Sequence, residues 1–106
     1  MADRPTISTH VLDTEHGRPQ RGMGVELYRV DADTETLVGG GTTNDDGRIP
    51  DLLVEPLLAG TYRLAFDVGG TFFTSASVTF VVDDTTRSYH VPLLLAPYSL
   101  ATYRGS

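Results

Sequence analysis

The stretch TYRLAFDV, residues 61–68, decides the class of secondary structure. Tyr62, Leu64, Phe66 and Val68 alternate with Arg63, Ala65 and Asp67. A period of two sends one side of a strand to a core and leaves the other to water. A helix would instead place its apolar residues three and four apart. Outward from this run, short β-rich runs recur about every ten residues, with turn signals between them, the spacing of a sandwich or barrel. Upstream lie TISTHVLD (6–13), VELYRV (25–30), TLVGGGTT (36–43) and IPDLLV (49–54). Downstream lie TFFTSASVTFVV (71–82), RSYHVPLLL (87–95) and YSLATYRGS (98–106). Between the third and fourth runs, NDDGR (44–48) supplies Asn, Asp and Gly where a turn needs positive φ. No stretch of a dozen residues keeps a 3.6-residue period without Gly, Pro or a β-branched cluster. The expected fold is all-β: eight strands in two antiparallel sheets around a core about 10 Å thick, with little or no helix.

The 106 residues suit one domain, 1–106, with a single core. A chain of this size buries roughly 60–70% of the surface its unfolded form exposes. It contains no cysteine, which excludes a disulfide framework, a thiol nucleophile and thiolate metal ligands. The formal charge of −6 repels phosphate backbones, so no nucleic-acid partner is expected. No apolar run approaches the roughly 20 residues that cross a bilayer, so no membrane partner is expected either. The opening MADRPTIS lacks the apolar segment of a secretory leader. With the missing cysteine, this gives an expectation of cytoplasmic residence.

Strand parity turns two histidines outward. In the first run Ile7, Thr9 and Val11 share one face, and Ser8, His10 and Leu12 the other. In the seventh, Tyr89, Val91 and Leu93 oppose Ser88, His90 and Leu94. Taking the more apolar set as core puts His10 and His90 on the outside with Leu12 and Leu94. Apolar residues on the non-core side of a sheet mark a surface that another subunit covers. An imidazole beneath such a cover is partly dry, and its titration can be moved across neutrality. Periodicity does not say whether the two strands are neighbours. His16, in a Gly- and Pro-bearing loop, reads as a solvated side chain. The three histidines match no short zinc-ligand spacing, so no metal is expected.

STHVLDT (8–14), TNDDGR (43–48), GTYRLAFD (60–67), YHVPLLLAPY (89–98) and the final YRGS (103–106) together resemble the transthyretin-related 5-hydroxyisourate hydrolases. The similarity runs from Ile7 to Ser106, and YRGS is its most specific element. The resemblance implies a two-sheet, eight-stranded prealbumin-like sandwich and a homotetramer built as a dimer of dimers. Active sites would lie in the channel between dimers. It implies hydrolysis of 5-hydroxyisourate, an intermediate of urate degradation, to 2-oxo-4-hydroxy-4-carboxy-5-ureidoimidazoline, with no cofactor. The family's catalytic residues fall on His10, Arg48 and His90. Its terminal motif falls on Tyr103, Arg104 and Ser106, which would line the same cavity and bind substrate. The chain also departs from the family pattern. DVGGTFFTSASVTF joins the fifth and sixth runs almost directly, where relatives carry a longer segment with a short helix. Thr74 and Ser75 stand in place of Pro-Glu, and Ser88 in place of a histidine.

These residues suit attack by an activated water. One of His10 and His90 would take the proton from water, a contribution of roughly 10²–10⁴-fold. Arg48 offers a permanently charged planar fork to the carbonyl oxygens of a flat anionic ring. Ser106 would add a hydroxyl and a terminal carboxylate, and Arg104 would neutralise that carboxylate or bind substrate. No serine sits in a nucleophile-elbow setting. The competing expectation is a non-catalytic transthyretin-like binding or spacer module, which needs the turns and the alternation but neither His10 nor YRGS.

Overall fold

The computed structural model describes residues 4–105 and carries ten strands among them. They are β1 (Ile7–Asp13), β2 (Arg18–Pro19), β3 (Gly24–Asp31), β4 (Thr34–Thr42), β5 (Arg48–Ile49), β6 (Gly60–Phe66), β7 (Ala76–Val82), β8 (Tyr89–His90), β9 (Leu93–Ala96) and β10 (Ser99–Thr102). One sheet runs β10-β9-β1-β2, with β5 and β8 also paired to β1. The other runs β4-β3-β6-β7. The eight sequence runs are all present. IPDLLV contributes only the two-residue β5, RSYHVPLLL supplies both β8 and β9, and Arg18–Pro19 adds a short strand from the loop after β1.

The alternation of residues 61–68 is realised as read: Tyr62, Leu64 and Phe66 are buried, while Arg63 and Ala65 stand at the half-exposed face. They share one core with Ile7, Val11, Leu27, Leu52, Tyr89 and Leu93 from both sheets. Full burial of such a side chain contributes about 1.5–3 kcal/mol. No helix occurs among the described residues, and none therefore is long and apolar enough to cross a membrane. The link from β6 to β7 closes on itself, with Gly69 N–H donating to the Thr74 carbonyl (2.9 Å) and Gly70 N–H to that of Phe73 (3.0 Å). That tight tip holds no helix.

Strand β1 organises the first sheet. It runs parallel to β8 and β9 in one constant register, Ile7 opposite Tyr89, Ser8 opposite His90, Val11 opposite Leu93. The parallel ladder breaks at Val91–Pro92, because proline has no N–H to donate. Buried Thr9 fills the gap, its Oγ1 donating to the Val91 carbonyl at 2.7 Å.

Candidate active site

On the outer side of this sheet, parity and pairing bring three chemical groups together. Val11, Thr9 and Ile7 are buried, so Ser8, His10 and Leu12 face outward, as expected from the alternation. Tyr89 and Val91 are buried and His90 points out beside them. Antiparallel pairing of β1 with β5 sets His10 directly opposite Arg48. Parallel pairing with β8 sets Ser8 opposite His90. The one central strand therefore carries both neighbours of the site.

Arg48 owes its place to a turn. Asn44 Oδ1 accepts from the N–H of Asp46 (2.9 Å) and of Arg48 (3.0 Å), and Gly47 N–H donates to the Asn44 carbonyl (2.9 Å). Gly47 has φ +74°, and a β-carbon there would lie 2.5 Å from the Val11 carbonyl oxygen. The residue must be glycine for the turn to press against β1, where Val11 N–H donates to the Gly47 carbonyl at 2.7 Å. The chain then leaves the turn with Arg48 exposed beside His10.

His90 is half-buried, and its Nδ1 lies 2.8 Å from Ser8 Oγ. Burial, then the Arg48 guanidinium, then His10 hold its pKa below the ordinary 6.5; a backbone hydrogen bond to Ser8 opposes them. The result is an imidazole neutral at pH 7, with a lone pair available. A recess of about 400 Å³ lined by Ser8, Thr9, Arg48, Pro50, Ser88 and His90 opens here. A larger recess, about 690 Å³, runs along β4, β3 and β6. It offers glycine backbone, Glu26 and Asp67 but no imidazole or guanidinium, so its size carries no chemistry.

The C-terminal segment docks on β8. Gly105 N–H donates to the His90 carbonyl at 2.8 Å, and the Arg104 guanidinium stacks over the Tyr89 ring at 4.8 Å. The Tyr89 hydroxyl is fixed in turn by Asp83 Oδ1 at 2.9 Å. Tyr103 and Arg104 line a separate apolar recess of about 230 Å³ with Val78, Phe80 and Tyr89. Among the described residues His90 alone borders both that recess and the Arg48 one. Ser106 lies outside the described residues. Ser88 points its Oγ at Thr6, accepting from its N–H at 2.9 Å.

Two features of this site escaped the sequence. Ser8 stands on the right face by parity, but only the parallel register puts its hydroxyl on His90. Gly105 reads as part of a motif, and its contact with the imidazole is a matter of tertiary approach. A third cluster, Asp13, Glu15 and His16, brings ligand-type atoms within 4.8 Å of one another. There His16 Nδ1 and Asp13 Oδ2 sit 2.8 Å apart, an exposed local pair.

Residues 7–105 match the family described as HIUase/Transthyretin. The chain is 44% identical to the 5-hydroxyisourate hydrolase of Deinococcus radiodurans, with all of both chains covered. That alignment spans 119 positions, so the relative carries positions this 106-residue chain lacks. The structure is similar to that of Klebsiella pneumoniae 5-hydroxyisourate hydrolase, with a TM-score of 0.83, 37% identity, and 95% of this chain and 99% of that one covered. It is also similar to sea bream transthyretin in complex with thyroxine, with a TM-score of 0.85, 28% identity and 93% of each chain covered.

Proposed function

The chain belongs to the HIUase/Transthyretin family, and from that premise we propose that it hydrolyses 5-hydroxyisourate with His10, Arg48 and His90 as its catalytic residues. Sequence identity favours the enzyme over a transthyretin-like binding module: the full-length match to a hydrolase is 44%, against 28% for transthyretin. The single observation that carries the residue assignment is the pairing on β1, which gathers two imidazoles and a guanidinium from distant parts of the chain.

In this reading His90 Nε2 takes a proton from water, and the hydroxide adds to a ring carbonyl carbon. Arg48 holds the oxygen that gains charge, an interaction that strengthens as the reaction proceeds. His10, opposite Arg48, orients the water and the flat ring. The tetrahedral adduct collapses with cleavage of the C–N bond. The imidazolium returns its proton to the departing nitrogen, and the new carboxylic acid releases one to solvent. Only side chains and water take part.

The proposal extends to a cytoplasmic homotetramer with the site covered by a second copy. Leu12 and Leu94 pair on the same outward face as His10 and His90, and both are half-buried apolar groups beside a polar site. Strands β7 and β10 end their sheets with open edges, and Val81 of β7 is 65% exposed. Edges of this kind pair with another chain. Tyr103 and Arg104 then act on the far side of His90, holding the C-terminal segment in place rather than lining the Arg48 recess.

Ultraviolet absorbance of freshly generated 5-hydroxyisourate tests the activity. The decay accelerates in proportion to added protein if the chain is the enzyme. Decay no faster than the spontaneous loss would leave a binding module of the same fold.

A further inference from the structure

His90 is gripped from both edges of its ring. On one edge Nδ1 meets Ser8 Oγ at 2.8 Å. On the other, a β-carbon added to Gly105 would fall 2.5 Å from Cδ2 and 3.2 Å from Cγ. Backbone of this segment therefore lies against the ring with no space for a side chain, and it is tied there by the Gly105 N–H bond to the His90 carbonyl. A half-turn of the ring about its Cβ–Cγ bond would exchange Nδ1 with Cδ2. It would set a C–H against the serine hydroxyl and a polar nitrogen against the glycine backbone.

We propose that Ser8 and Gly105 are positioning residues that hold His90 in one orientation and one tautomer, with the hydrogen on Nδ1 and the lone pair of Nε2 turned toward substrate. The proposal rests on the reading of His90 as the proton acceptor. The serine hydroxyl can donate or accept, so it alone does not choose the tautomer. Of the two arrangements, donation from Nδ1–H to Ser8 Oγ is the one that leaves the Nε2 lone pair free, and the 2.8 Å contact fixes which nitrogen faces the serine. Among the described residues Nδ1 is the ring nitrogen that is hydrogen-bonded, which leaves Nε2 for the reaction. Proton uptake on Nε2 then needs no ring rotation, and the Nδ1–H bond to Ser8 persists and strengthens in the imidazolium. Gly105 supplies the steric half of the grip: an alanine there must push the ring or lift the segment.

The test combines nitrogen-15 NMR of the His90 imidazole with kinetics of 5-hydroxyisourate decay. The wild-type protein at pH 8 should show the Nδ1–H tautomer, a result that needs no variant. Ser8→Ala should give a mixture of tautomers and lower kcat about tenfold, with KM little changed. Ser8→Thr, which keeps the hydroxyl, should restore both. Gly105→Ala should lower kcat and shift the His90 ring resonances. An Nε2–H tautomer in the wild type, or wild-type kcat and tautomer in Ser8→Ala, overturns the proposal. His90→Asn separates it from the reading beneath. Full turnover in that variant overturns both, whereas an inactive His90→Asn beside a fully active Ser8→Ala overturns the grip alone.

Discussion

At His90, burial, charge and hydrogen bonding act on one side chain, and they act in opposed directions. Desolvation, Arg48 and His10 disfavour the imidazolium, while the bond to Ser8 favours it. The net depression fixes the sign of the pH dependence. Protonation removes the lone pair, so kcat/KM should fall as pH drops through a value below 6.5. Arg48→Gln removes one of the depressing charges. In that variant the acid limb should move to higher pH, besides the loss of rate. A pH profile of kcat/KM for both proteins checks this, and an unmoved limb would separate Arg48 from His90. The same depression bears on stability. Below 6.5 the unfolded chain binds this proton more readily than the folded one, so His90 subtracts stability progressively on the acid side. Parity alone identified the outward set of Ser8, His10 and Leu12, because a strand has only two faces. It gave Ser8 no role, since the partner of its hydroxyl is 82 residues away along the chain.

Among the elements, the turn from Asn44 to Arg48 was readable and the parallel pairing was not. Asn, Asp and Gly announce a turn through local chemistry: side-chain acceptors for free N–H groups and a residue free of a β-carbon where φ is positive. Asn44 and Gly47 serve those ends here, Asn44 Oδ1 by accepting from two N–H groups and Gly47 by its φ of +74°, while the Asp46 carboxylate takes no part. The adjacency of β1 with β8 depends on the whole chain folding, and no local pattern encodes it. The IPDLLV run shows the converse, an apolar segment that its spacing between turn signals placed among the strands. Its Leu52 and Leu53 are buried, yet it crosses the edge of the core with one two-residue strand and a single bridge from Leu53 to Gly39. Glycine positions sharpen the difference between strain and collision. Gly17 (φ +68°) has open space around it, whereas a β-carbon at Gly47 (φ +74°) strikes the Val11 carbonyl. Gly47→Ala should therefore lower the melting temperature by more than about 5 °C and cut turnover by displacing Arg48. Gly17→Ala should cost less and leave turnover intact. Thermal unfolding and initial rates of the two variants check this, and equal effects would mean that contact with β1 does not set the turn.

For the molecule as a whole, two sheets make the core and the outside of one of them makes the site. Composition already excluded a disulfide scaffold, and the −6 charge argues against a nucleic-acid surface. The two-sheet class followed from strand rhythm, and the family from motifs spread over nearly the full length. Rhythm already turned Leu12 and Leu94 outward; that the two are paired neighbours, and that β7 and β10 stand at sheet edges, came only with the fold. On this account the fold brings chemistry together from three strands of one sheet, and the hydrolase activity depends on it. The most direct test is the rate of 5-hydroxyisourate decay with His10→Asn, Arg48→Gln and His90→Asn, each at the solution mass of the wild type. The account predicts a loss of at least about a hundredfold in every variant. Wild-type rates in all three would contradict it.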